Sequence, residues 1–290
     1  MKSLQHRVVV LTDGSSALSR YLALELARVG ARIVLWAQED NGDTTKARQI
    51  MDEVTSAHPR ANIHVFDVDV ASQQSIQQGA KNVRRELGRI DVLMNNTDFL
   101  HGSTLLASSG ESIERGFALN AMATIWTTRA VLPQMLSENS GAIVNFGTSA
   151  DALGAPKLVD YCTSKYAVMG FHEALRQELR HNKKTGIAMM LVCPTLIVQD
   201  GGAAQGESVS KAKLISSMWI RPQQGAKDIV RAMRRNKTRL VLPPDFGMLS
   251  GFLAALPDNF AAWVRDKFGL SKAMDHFVAP TAGRYAYASV

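Results

Sequence analysis

The stretch Arg7-Val8-Val9-Val10-Leu11-Thr12 is a continuous apolar run, followed by a polar turn, Asp13-Gly14-Ser15-Ser16, and then by Leu18, Leu22, Leu26 and Val29 on one helical stripe. Strand, turn, helix is the reading. Gly30 stops that helix, and Ala31 to Ala37 reads as a second buried strand. The alternation repeats with Asn62 to Phe66, Ile90 to Asn95, Ala142 to Thr148, Gly186 to Cys193 and Thr238 to Leu242, with helical patterns between. Seven strands alternating with helices specify an α/β, doubly wound parallel sheet, whose ligands sit at the carboxyl ends of the strands. The polar candidates fall there. Asp67 follows strand three, Asn95 and Asn96 end strand four, Thr148 ends strand five, and Pro194 follows strand six.

A length of 290 residues suits one large domain, so residues 1–290 are expected to form a single unit. With 46% hydrophobic and 20% charged residues, disorder is excluded as the class. The net charge of +7 is spread along the chain and densest at Arg231, Arg234, Arg235, Lys237 and Arg239. Such a run is ordinarily a solvated helix end, so no nucleic-acid partner is expected. Cys162 and Cys193 fall on an apparent buried helix and strand, with no disulfide framework and no metal-binding spacing. The N-terminus runs into a strand almost at once, without a signal peptide or a spanning helix, and a cytoplasmic protein is expected. From about 195 to 222 the chain is rich in Gly and Ser, which favours a lid over the crevice. From 243 to 290 an amphipathic helical extension carries Phe246, Met248, Leu249, Phe252, Leu253, Leu256, Phe260, Trp263, Val264 and Phe268. Two readings of the 246–268 segment stand open: a cap over the substrate entrance, or a peripheral contact with a membrane.

Tyr161 and Lys165 stand one helical turn apart. A cation beside a phenol favours phenolate and is expected to pull its pKa down toward the working range of a proton-transfer group. Alone the spacing is weak evidence, and its context decides. That context is the strand-turn-helix opening, Asp67, Asn95-Asn96, Asn120, and the Thr148 hydroxyl 13 residues before Tyr161.

Together these resemble the short-chain dehydrogenase/reductase superfamily over nearly the whole chain. The resemblance implies a Rossmann-type domain that moves hydride between NAD or NADP and an alcohol or carbonyl. Carried over by position, Tyr161 is the acid/base, Lys165 holds the nicotinamide ribose and tunes the phenol, Thr148 stands for the serine that holds the substrate oxygen, and Asn120 supports a water relay. Cofactor contacts are implied at Thr12, Gly14, Ser15, Ser16, Leu18, Asp67, Val68, Asn95, Tyr161, Lys165, Pro194 and Leu196. Asp67 is also readable as a cap, Asn95 as a structural strand end, Thr148 as a plain strand residue with Ser149 as its fallback, and His172 and His181 as packing or solvated residues. Ile33-Val34-Leu35-Trp36, Asp160-Tyr161-Cys162, Gly170-Phe171, Val192-Cys193-Pro194-Thr195 and Ala273-Met274-Asp275-His276-Phe277 look like the retinol and 17β-hydroxysteroid dehydrogenase branch. A small lipophilic substrate is implied, as is a homodimer or homotetramer built through the helices at about 109–138 and 158–183.

The departures bear on cofactor binding. The family's three loop glycines are Asp13, Ala17 and Ser19 here, and Gly14 is left to make the turn. Asp98 and Thr195 also replace family glycines. Ala37 stands where an acidic residue would hold the adenosine ribose, while Glu39 and Asp40 disfavour a 2′-phosphate and point to NAD. These changes keep a second reading open: a non-catalytic scaffold with weakened cofactor binding.

Overall fold

A computed structural model describes residues 3–38, 42–148, 154, 156–197, 219–244 and 256–267. Glu39, Asp40, Ser149, most of the 195–222 lid and most of the 243–290 extension lie outside the described residues, so those expectations stay as they are.

The apolar opening run becomes strand β1 (Val8–Leu11), buried along its length. Successive side chains of a strand point to opposite faces, so Val9 and Leu11 enter one core and Val8 and Val10 the other. The first core is closed by helices α1 (Ala17–Arg28) and α2 (Asp43–Ala57) and by a later helix, α7 (Pro222–Arg234). The second is closed by α3 (Gln73–Leu87), α5 (Ala123–Glu138) and α6 (Val159–His181). Between them lies a parallel sheet that adds β2 (Arg32–Ala37), β3 (Asn62–Asp67), β4 (Val92–Asn95), β5 (Gly141–Phe146), β6 (Ile187–Pro194) and β9 (Arg239–Leu242). Its seven strands run in the order β3-β2-β1-β4-β5-β6-β9, the doubly wound arrangement expected. The order reverses between β1 and β4. A crevice therefore opens outside the carboxyl ends of those two strands.

Two boundaries move. β5 ends at Phe146, so Thr148 stands two residues beyond it, and Pro194 is the last residue of β6. Two short strands also join what the composition presents as one lid: β7 (Leu196–Ile197) pairs in parallel with β8 (Trp219–Ile220). Helix α4 (Gly110–Phe117) continues into a π turn over Ala118–Met122 before α5. Ser16, Ser72 and Ser109 cap α1, α3 and α4, each accepting from the amide three residues on, which is worth about 1 kcal/mol per helix. A final helix, α8 (Asp258–Lys267), turns Phe260 and Trp263 outward, with their rings stacked 5.6 Å apart. Among the described residues no helix is long and apolar enough to cross a membrane.

Gly14 shows why one loop glycine survives. A Cβ there would lie 2.8 Å from both Leu35 Cβ and the Trp36 carbonyl oxygen. The loop packs directly on β2, and the Gly14 amide donates to that same carbonyl at 2.8 Å. Gly14→Ala is expected to lower the unfolding free energy by about 1–3 kcal/mol, the usual cost of overpacking against atoms that cannot step aside. The denaturant midpoint should fall accordingly.

Candidate active site

The loop after β1 is tied down by hydroxyls and one amide. The Thr12 amide donates to Asn96 Oδ1 at 3.1 Å and the Thr12 hydroxyl meets that of Thr97 at 3.0 Å, so the ends of β1 and β4 are latched together. The Asp13 carbonyl accepts from the hydroxyls of Ser16 and Ser19, and Asn96 Nδ2 donates to the Ser19 hydroxyl at 2.8 Å. Crowding at Ser19 is thus relieved. Its side chain is fully buried but turns inward to polar partners that a glycine would lack. Ser16 caps the helix, Leu18 packs in the core, and Ser15 lines the crevice with Thr12, Asp13, Trp36, Gln38, Asp43, Val68 and Asp69. Asp67 is not brought there. It is exposed at the end of β3 and faces a separate hollow with Ser72, Ser75 and Gln78, leaving Val68 and Asp69 as the crevice wall.

Asn95 is committed to the fold. Its amide donates to Thr128 Oγ1 at 3.1 Å and to Asn145 Oδ1 at 2.9 Å, and its carbonyl oxygen accepts from Thr127 at 2.7 Å. Asn120, in the π turn, is committed too. Its side chain accepts from the Phe99 amide at 2.7 Å and donates to the Phe99 carbonyl and the Ser164 hydroxyl, both at 2.9 Å. Every bond the Asn120 side-chain amide nitrogen can donate is used. The side chain of the residue expected to support a water relay clamps the loop after β4 to α6.

That clamp sets Asp98 against the start of α6. Asp160 accepts from the Tyr161 amide at 2.8 Å, a carboxylate well placed at a helix N-terminus. Tyr161 is 6% exposed, Thr148 1% and Lys165 1%. The Asp98 carboxylate and the Thr148 hydroxyl both act on the Tyr161 phenol. Lys165 Nζ lies 5.7 Å from the Tyr161 ring centre and 3.0 Å from Asp98 Oδ1, and donates to the carbonyls of Thr97 at 3.1 Å and Phe146 at 3.5 Å. The three acid/base residues therefore meet, but the expected effect on the phenol reverses. Burial first, then the charge and hydrogen bond of Asp98 and the nearby Cys162, push the Tyr161 pKa well above 10, with only the Thr148 hydroxyl opposing. The lysine charge is answered by Asp98 before it can favour phenolate.

A family model described as short chain dehydrogenase matches residues 7–208. The chain belongs to this family. Over 96% of its length and 86% of theirs, it is 33% identical to retinol dehydrogenase 10-B of Danio rerio and 31% identical to retinol dehydrogenase 10 of Homo sapiens. It is 28% identical to estradiol 17-beta-dehydrogenase 11 of Pongo abelii, over 93% of this chain and 85% of that one. In three dimensions it is similar to a short-chain dehydrogenase/reductase from Burkholderia phymatum in complex with NAD, with a TM-score of 0.74, 22% identity, and coverage of 86% and 93% of the two chains. Membership makes it an oxidoreductase of the nicotinamide-dependent kind.

The crevice suits such a cofactor on one count. The buried indole N–H of Trp36, a residue that lines the crevice, has no hydrogen-bond partner among the described residues. A donor left in that state is costly, and a ligand rich in acceptors would satisfy it. Sequence reasoning missed Trp36, Asp43 and the contacts of Asp98. Periodicity identified the first only as a strand residue, and the others depend on pairings between distant segments.

Proposed function

We propose that this chain transfers hydride between NAD and a lipophilic alcohol or its carbonyl partner, with Tyr161 as the proton donor and acceptor. The observation that carries the reading is the meeting of the Tyr161 phenol with the Thr148 hydroxyl over the buried Lys165, at the carboxyl end of β5 beside the crevice. Bound nicotinamide would supply or accept the hydride; Thr12, Ser15, Trp36, Val68 and Lys165 are the residues to hold the dinucleotide. In reduction Tyr161 gives its proton to the substrate oxygen while Thr148 fixes that oxygen in place. The high pKa of the phenol suits this direction, since the acid rests protonated at neutral pH.

The carboxylates of Asp13, Asp43 and Asp69 support NAD over NADP, because all three line the crevice. A 2′-phosphate about 4 Å from one such charge is disfavoured by about 4 kcal/mol at an effective dielectric of about 20. The lipophilic substrate is supported by the retinol and estradiol dehydrogenases to which the chain is similar. Peripheral contact with a membrane is supported by Phe260 and Trp263, about half exposed on α8. Met122 and Tyr166, exposed beside α5 and on α6, support self-association through those helices.

Titrating the protein with NADH and with NADPH, followed by fluorescence of the reduced ring, tests the reading. Saturation by NADH in the micromolar range, with NADPH weaker, is expected. Absence of saturation by either at millimolar levels would remove the enzyme reading and leave the scaffold.

A further inference from the structure

Lys165 presents three donors, and three acceptors meet them. Two are backbone carbonyls, of Thr97 and Phe146; the third, Asp98 Oδ1, is the one charged partner among them. The two partners differ sharply in freedom. The lysine side chain is 1% exposed, whereas the Asp98 side chain is 52% exposed, on the loop that follows β4. Its backbone is nonetheless pinned, because the neighbouring Phe99 is held at both amide and carbonyl by Asn120. A carboxylate anchored this way can leave Lys165 only by rotating its side chain toward solvent.

Resting on the nicotinamide reading above, we infer that Asp98 is a latch: in the empty site it occupies Lys165 and the Tyr161 phenol, and it must swing out to give Lys165 to the ribose hydroxyls of the dinucleotide. Asp98 is therefore a positioning residue that competes with cofactor. The family's glycine at this place offers no such competitor, so the latch is this chain's own. In the empty protein it also compensates a buried ammonium that would otherwise lack a counter-ion. Among the described residues the groups facing the phenol are Asp98 from the loop after β4, Cys162 and Lys165 from α6, and the Thr148 hydroxyl, and Asp98 is the carboxylate among the charges that act on it.

Two readouts test the latch, using Asp98→Gly, Asp98→Asn and Asp98→Glu in the full chain, with retention of fold checked by circular dichroism. In the cofactor-free protein, ultraviolet difference absorbance follows ionisation of Tyr161, with Tyr161→Phe subtracting the other tyrosines. Asp98→Gly and Asp98→Asn should make this phenol titrate at lower pH, and Asp98→Glu, which keeps the carboxylate, should return it toward the parent. Both neutral variants should also bind NADH about tenfold more tightly, as expected when one charge-assisted bond no longer has to be given up. An unmoved phenol, or NADH affinity unchanged or weakened, overturns the latch. A phenol that moves while no variant binds either dinucleotide overturns the cofactor reading, and the competition with it, but leaves the contact between Asp98 and Tyr161 standing.

Discussion

Replacing Tyr161 with phenylalanine is expected to slow carbonyl reduction by about 10²- to 10⁴-fold, the range for a positioned proton donor, with dinucleotide affinity nearly unchanged. The ring packs against Leu158, Cys162 and Leu100, and phenylalanine keeps that packing. Only the hydroxyl goes, and with it the influence of Asp98 and Thr148 on a titrating group. Lys165 retains Asp98 and two carbonyls, so the pocket beneath stays satisfied. Because burial, the largest cause, holds the phenol above its ordinary range with or without Asp98 beside it, the parent's kcat/KM for reduction should stay level from neutral into mildly alkaline pH and fall only on the far alkaline side. Undiminished turnover in Tyr161→Phe would rule out the proton-transfer role.

Legibility followed the range of the interactions. The sheet could be read because its central strands are apolar runs buried on both faces, and all its strands are bounded by turns that local chemistry marks. Ends were harder: β5 stops at Phe146 because its pairing with β4 ends at Asn95–Asn145 and its pairing with β6 at Phe146–Val192, a fact about the neighbours rather than about Gly147 or Thr148. Strands β7 and β8, two residues each, exist through pairing across more than twenty positions and leave no local pattern. The π turn around Asn120 adds to a helix without disturbing its apolar stripe, so periodicity passes over it. The acid/base residues were legible by type and spacing, yet the sign of the phenol's shift was not. Lys165 is a neighbour along the helix, whereas the carboxylate that answers it arrives from the loop after β4, 67 residues earlier. Ser19 teaches the same point. As a missing glycine it signals crowding, and in the fold its hydroxyl closes the loop on the Asp13 carbonyl.

Acid should weaken this fold well before its surface carboxylates titrate, through His172. The imidazole is 2% exposed on α6, and its Nδ1 lies 3.3 Å from Asn145 Nδ2. Asn145 is itself oriented by accepting from Asn95, so it presents its NH₂ to the ring and the neutral tautomer with Nδ1 bare is the one that fits. Protonation would set donor against donor in a dry interior. Burial, against a smaller opposing pull from Glu173 and with Arg176 and Arg239 adding to it, lowers the pKa from 6.5 to about 4. The unfolded chain takes up this proton near pH 6.5 and the folded one does not, so the stability is complete above 6.5 and is lost as pH falls through that value toward about 4. At 1.36 kcal/mol per unit the loss comes to about 3 kcal/mol, most of it before pH 4.5, where the neighbouring Glu173 begins to matter. Urea unfolding at neutral pH and near pH 4.5 measures it, with His172→Gln as the control. The variant should lose about 2.5 kcal/mol less than the parent across that window of about two units, and equal losses would place the acid sensitivity elsewhere.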